Sequence, residues 1–319
     1  MPIAIKKSSK AAKFGNLVPM PMPLSLKNRT FTLLLVACVL LLLGRAYQHL
    51  FFEAPYRSFF LKQDYFGWAV AWFSGQEWVA FVNDLRTDRA ILALGRTVGI
   101  FFAVSAIATL LVFRPYRRLV QGLLYTCTAL LAFMAFAYYL DKGFQFAQIM
   151  EYTAQAATPA LLAWYVANPK SIALQWVLRL AIGLTFLGHG LYALGLYPVP
   201  GYFVHMVITN LGLTNDQAVQ LLLLAGWMDV GVAIGVLLPR MDRFWLWYAA
   251  AWGFLTALAR LTTFVFLDHM FWPSLHQIGF EFIIRTPHFL LPLAALMSSG
   301  LYAKLSTPRN SPNQAGVGA

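Results

Sequence analysis

The chain has 319 residues, of which 60% are hydrophobic and only 11% charged. Soluble domains carry about 25% charged residues, so this composition, with a mean hydropathy of +0.63, excludes an ordinary soluble enzyme and predicts an all-α, polytopic membrane protein. The net charge of +12 does not point to nucleic acid, because the basic residues gather at the ends of apolar stretches, where they set membrane orientation.

Residues 1–30 form a basic, Pro-containing segment with Lys6, Lys7, Lys10, Lys13, Lys27 and Arg29. It is long for a signal-peptide leader, and no small-residue cleavage site follows Leu43, so the first apolar run is read as a retained span. Residues 18–23 are a stiff, Pro-rich lead-in. A span needs roughly 20 apolar residues. Eight stretches qualify, at 32–52, 91–113, 119–140, 149–167, 172–194, 218–238, 244–267 and 279–301. Between the first two lies the large loop 53–90, rich in aromatic residues from Tyr56 to Trp78. It reads either as amphipathic helices lying at the interface or as a lid over an outward-facing pocket. The polar tail 306–319 is expected to be disordered.

Basic residues choose the orientation. Fourteen Lys or Arg fall on the face that holds both termini, the turn from Arg114 to Arg118, Lys170, and Arg240 with Arg243; five fall on the other. This imbalance puts both termini in the cytoplasm of a cell inner membrane.

The apolar part is written twice. Tyr139-Leu140-Asp141, Gln148-Ile149, Glu151, Thr158-Pro159 and Leu161-Leu162 recur in order as Phe266-Leu267-Asp268, Gln277-Ile278, Glu281, Thr286-Pro287 and Leu290-Leu291, at an offset of 127 to 130 residues. Two tandem four-helix repeats, 31–168 and 169–305, are predicted. With four spans each they run the same way, related by an axis along the membrane normal.

A charge in hydrocarbon is costly, so ionisable residues within spans are candidate site residues. The second repeat holds the denser set: His189, Asp229, Arg260, Glu281, Arg285 and His288, with His269 and His276 beyond the spans. The first repeat offers Arg45, His49, Arg96 and Glu151. Arg285 and His288, three apart, share a helix face. Arg260 is the expected partner of Asp229. Each has a structural alternative. Arg45, Arg96 and Glu151 can snorkel to the interface, Asp229 and Arg260 can form an ion pair between helices, and His189 can hydrogen-bond a neighbouring helix. Cys38 and Cys127 lie in apolar stretches outside any C-x-x-C and read as small buried residues. No metal site is expected, and G-x-S-x-G, H-E-x-x-H, Walker A and dinucleotide fingerprints are absent.

The stretch VLRLAIGLTFLGHGLYAL, with Arg179, Gly183 and His189-Gly190, and the following Asp229, Gly231, Gly235, Leu237-Leu238 and Arg240 resemble the DoxX-like family of four-span membrane proteins over about 172–301. Asp229 stands where that family usually has Glu, and the Lys often found after its His-Gly is absent, with Ala193 and Leu194 there. The resemblance implies a membrane subunit near quinone chemistry, with a protein partner supplying electrons. Three functions follow for testing. The first is a quinone-linked redox subunit with His189, Asp229, Arg260 and His288 around the ligand. The second is a proton-coupled transporter, favoured by the repeat and Asp229, although no Pro- or Gly-broken spans stand at matching positions of both halves. The third is a scaffold or assembly factor, as a homo-oligomer or with a partner, whose polar groups serve packing.

Overall fold

The computed structural model describes residues 28–112, 115–268 and 271–306. Most of the basic N-terminal segment, Arg114, His269 and the tail expected to be disordered lie outside the described residues. Among the described residues every regular element is a helix. They are α1 (Arg29–Phe51), α2 (Tyr56–Phe60), α3 (Gln63–Ser74), α4 (Trp78–Asn83), α5 (Leu85–Thr109), α6 (Arg117–Asp141), α7 (Phe146–Glu151), α8 (Thr153–Ala167), α9 (Ile172–Ala193), α10 (Gly201–Leu211), α11 (Asn215–Gly235), α12 (Asp242–Asp268), α13 (Phe271–Ile283) and α14 (Thr286–Ser306).

Side-chain caps start four of the long helices, α1, α5, α9 and α11. Asn28 accepts from the Phe31 N–H at 3.2 Å, Asp84 from Arg86 at 2.8 Å, and Ser171 from Leu174 at 3.2 Å. Thr214 and Gln217 form a reciprocal capping box at α11. The Asp84 cap starts α5 six residues ahead of the apolar run that marks it in the sequence.

Six helical stretches are long and apolar enough to cross a membrane: α1, α5, α6, α9, α11, and α13 with α14 taken together as Phe271–Gly300. The chain is therefore a multi-pass helical membrane protein. Its surface agrees, with Ile100, Ile107, Leu119, Leu224, Trp227 and Trp247 all exposed, the apolar covering that suits lipid rather than water. Two of the eight stretches fall outside the six. α8 has 15 residues, about 22 Å of helix, which is short of the roughly 30 Å hydrocarbon core. α12 has 27 residues, but Trp245, Trp247, Tyr248 and Trp252 lower its hydropathy.

Packing follows pairs. α1 lies along α5, and α9 along α11; α6 lies along α8, and α12 along α14. α1 also packs on α13 and α14, while α9 packs on α7 and α8. Glycines permit these last contacts. A Cβ at Gly44 would stand 2.8 Å from Ile284, and one at Gly188 would stand 2.7 Å from the Glu151 backbone nitrogen. The shared core includes Leu41, Phe102, Leu131, Leu161, Ile182 and Leu291.

Two helices are broken, the first with no Gly or Pro at the break and the second just before Pro287. Tyr152 separates α7 from α8, and Ile284-Arg285 separate α13 from α14. At both breaks the first residue of the new helix is Thr, whose hydroxyl donates back across the gap: Thr153 to the Met150 carbonyl at 2.7 Å and Thr286 to that of Ile283 at 2.9 Å.

A buried polar joint ties α9, α12 and α14. Arg179 Nη2 meets Asp242 Oδ2 at 2.9 Å and Ser299 Oγ at 3.2 Å; Ser298 donates to Gln175 at 2.7 Å. In the segment 53–90, α2 packs on α6, with Phe59 against Phe133, and Arg57 Nε donates to Asp88 at 2.9 Å. α3 exposes Trp68, Trp72 and Phe73.

Candidate functional site

Two cavities meet where α9, α12 and the α13–α14 break converge. The first, about 350 Å³, is apolar: Phe186, Met206, Leu222, Ala225, Trp252 and Leu255 line it, together with Asp229. The second, about 500 Å³, is polar, lined by Gln48, Tyr138, Glu151, Tyr152, Gln155, Tyr192, Tyr202 and Glu281 among others. His189, Phe203, Arg260, Arg285 and His288 belong to both walls. No residue of 53–90 lines either cavity.

His189 sits one turn from the end of α9, where Gly188 lets the helix press on the last turn of α7. Its Nδ1 meets Glu151 Oε1 at 2.7 Å. The His288 ring lies 5.4 Å away, centroid to centroid, tilted by 43°. His288 is buried, its backbone N–H donates to the Arg285 carbonyl at 2.9 Å, and its Nδ1 has no hydrogen-bond partner among the described residues. Gly253 makes room for it, because a Cβ there would lie 2.6 Å from the His288 carbonyl oxygen.

Asp229 is buried on α11 with Oδ1 unpartnered among the described residues. Gly190 allows α9 to pass it: a Cβ at 190 would stand 3.2 Å from Asp229 Cβ and 3.0 Å from the Gly226 carbonyl oxygen. The expected Asp229–Arg260 pair does not form. Arg260 meets Glu281 Oε2 at 3.2 Å instead, and its guanidinium lies 4.8 Å over the Tyr202 ring. Arg285 shares the same acid, with Nη1 at 3.3 Å from Glu281 Oε2 and 3.0 Å from its carbonyl oxygen. Both bonds fall within the turn that ends α13, so the break itself aims Arg285 at Glu281.

The first-half candidates divide. Glu151 lines the polar cavity. Arg45 is fully buried rather than snorkelling; Nη1 donates to Gln48 Oε1 at 2.6 Å, Nη2 donates to Gln155 Oε1, and the Tyr152 ring lies 5.2 Å away. It stands behind the wall of the polar cavity, since Gln48, Gln155 and Tyr152 are that wall. His49 is a structural residue. Its Nδ1 donates to the Arg45 carbonyl at 2.6 Å and its Nε2 accepts from Tyr56 at 2.8 Å. Arg96 is exposed on α5, apart from both cavities.

Sequence reasoning missed the amides and phenols. Gln48 and Gln155 had a usable signal, an uncharged polar residue inside an apolar run. Tyr202 and Phe203 on α10 had none, because aromatic residues are ordinary near a membrane interface.

The site thus joins three acids, two imidazoles and two guanidiniums where an apolar pocket meets a polar one. It offers donors at Arg260 and Arg285, and groups able to exchange protons at Asp229, His189, His288 and Glu151. No family model matches the chain, and no curated protein or solved structure matches it.

Proposed function

We propose that this protein is an eight-pass, DoxX-like inner-membrane protein that binds a quinone-type ligand for a redox partner. Two four-span halves, with both termini cytoplasmic, hold the ligand between them. The eight-pass reading draws support from the length of α12 and from α7 and α8 acting together as one interrupted crossing. The two halves draw support from the paired packing: α1 with α5 as α9 with α11, and α6 with α8 as α12 with α14.

One observation carries the ligand. The apolar cavity is closed at one end by His189, Arg260, Arg285 and His288 and flanked by Asp229, and two of these buried groups, Asp229 Oδ1 and His288 Nδ1, have no partner among the described residues. An amphipathic ligand with an apolar tail and a head of hydrogen-bond acceptors fits that arrangement. A quinone supplies two-electron chemistry coupled to protons. The protein's own residues orient the head, exclude water along the apolar wall, and hold or release protons at Asp229 and the two imidazoles.

The test is a lipid extract of the purified protein with mass spectrometry for quinones, followed by titration of a short-tailed quinone read by tryptophan fluorescence. Saturable quenching that weakens in Asp229→Asn and His288→Ala, at unchanged helical content, supports the reading. Quenching linear in quinone concentration, as for free partition into detergent, refutes it.

A transport reading is favoured by a separate observation, the paired helix breaks at 152 and 284–285. Discontinuous helices at matching positions of two halves are how many carriers build a site. Uptake into liposomes that Asp229→Asn abolishes would favour it over the quinone reading.

A further inference from the structure

We infer that the polar cavity is a binding site for a phosphate-class oxoanion, held by Arg285 and Arg260 with Arg45 behind its wall. This goes beyond the quinone reading and stands independently of it.

Charge carries the argument. The acids lining the cavity are Glu151 and Glu281. Glu151 is engaged by His189, and Glu281 is shared between Arg260 and Arg285. The two carboxylates balance the two guanidiniums of the wall, so the surplus positive charge is that of Arg45: its partners are two glutamine amides, the Met134 sulfur and the Tyr152 ring, and among the described residues no carboxylate reaches it. Lys142 stands at the exposed rim. A buried cation without a counter-ion is costly in protein or lipid, and an anion entering the cavity offsets that cost.

The neutral groups point the same way. Tyr192 lines the cavity with a buried hydroxyl that lacks a partner among the described residues and can donate to an anion's oxygen, and Tyr202 lines it beneath the Arg260 guanidinium. Guanidinium forks with hydroxyl donors are the groups that recognise tetrahedral oxoanions. The oxoanion has two sources. It is free phosphate, or it is the head of a phospholipid whose chains run into the apolar cavity through the shared wall at His189, Phe203 and His288.

The experiment uses the full chain in phosphatidylcholine nanodiscs, titrated calorimetrically with inorganic phosphate at constant ionic strength. Saturable binding is expected, weakened about tenfold or more by Arg285→Gln or Arg45→Gln and largely kept by Arg285→Lys. A second arm adds phosphatidic acid to the discs and counts retained lipid by native mass spectrometry. Retention at one per chain, lost in Arg285→Gln, assigns the oxoanion to a headgroup; binding of phosphate alone assigns it to the free ion. Should Arg285→Gln fail to fold, Glu281→Gln reads the same charge balance in reverse. Removing the competing carboxylate tightens phosphate binding, and unchanged or weaker binding overturns the inference, as does a wild-type protein that takes up neither probe. Quinone titration in the same discs separates the two proposals. Phosphate bound without quinone refutes the proposed function alone, and quinone without either phosphate probe refutes this inference alone.

Discussion

Replacing Asp242 with Asn tests whether the joint between α9, α12 and α14 is held by charge. Asp242 and Arg179 are 2.9 Å apart, with side chains 3% and 0% exposed. At an effective dielectric of 20, the gross attraction at that distance is about 6 kcal/mol. Much of it offsets the desolvation of the two ions. Breaking such a pair from one side costs about 3–5 kcal/mol, because a guanidinium stays buried after losing its carboxylate. In a bilayer the unfolded chain also finds partners, which lowers the net effect; Gln175 and Ser299 remain within 3.2 Å of Arg179. About 3 kcal/mol is therefore expected for Asp242→Asn. The double variant Arg179→Met with Asp242→Leu, which buries no charge, should lose less. The assay is denaturation in mixed micelles across the cycle of wild type, Arg179→Met, Asp242→Leu and the double variant, followed by tryptophan fluorescence. A double variant that loses the sum of the two singles would show that the charges do not act on one another, and the reasoning would fail.

Three further outcomes are expected. Gly253→Ala gains about 1 kcal/mol of helix propensity but drives a Cβ to 2.6 Å from the His288 carbonyl oxygen, an overpacking cost of about 1–3 kcal/mol. Net destabilisation with weaker quinone binding is expected by thermal unfolding and titration, and a more stable protein would mean that α12 and α14 separate freely. Tyr56→Phe removes the hydroxyl that donates to His49, worth about 1 kcal/mol. It should lower stability while leaving quinone and phosphate affinities alone; a change in either affinity would contradict the structural role given to His49. Trp252→Phe should reduce the quinone-induced quenching while mass spectrometry still finds the ligand, and a quenching amplitude left unchanged would move the site away from the apolar cavity that Trp252 lines.

The apolar runs by themselves determined the class of the protein and the course of α1, α6, α9 and α11 to within a few residues, and of α5 apart from its first six residues. Span length is fixed by bilayer thickness and is local along the chain. They also marked His189, Asp229, Arg260, Glu281, Arg285 and His288 as candidates, because an ionisable group stands out in an apolar stretch whatever it faces. Only the tertiary structure decided which of these meet. Arg260 turned to Glu281 rather than Asp229, since α13 ends in a turn that brings Glu281 and Arg285 up beside α12. Arg45 and His49 share one face of α1, four residues apart, yet the long Arg45 side chain reaches the glutamines of the cavity wall while His49, one turn nearer the helix end, meets Tyr56. The break at Tyr152 has no Gly or Pro to mark it, whereas Pro287, in the first turn of α14, does mark the break at 284–285. Each is made where a first helix presses on it, α9 through Gly188 and α1 through Gly44, and that contact joins residues far apart in sequence.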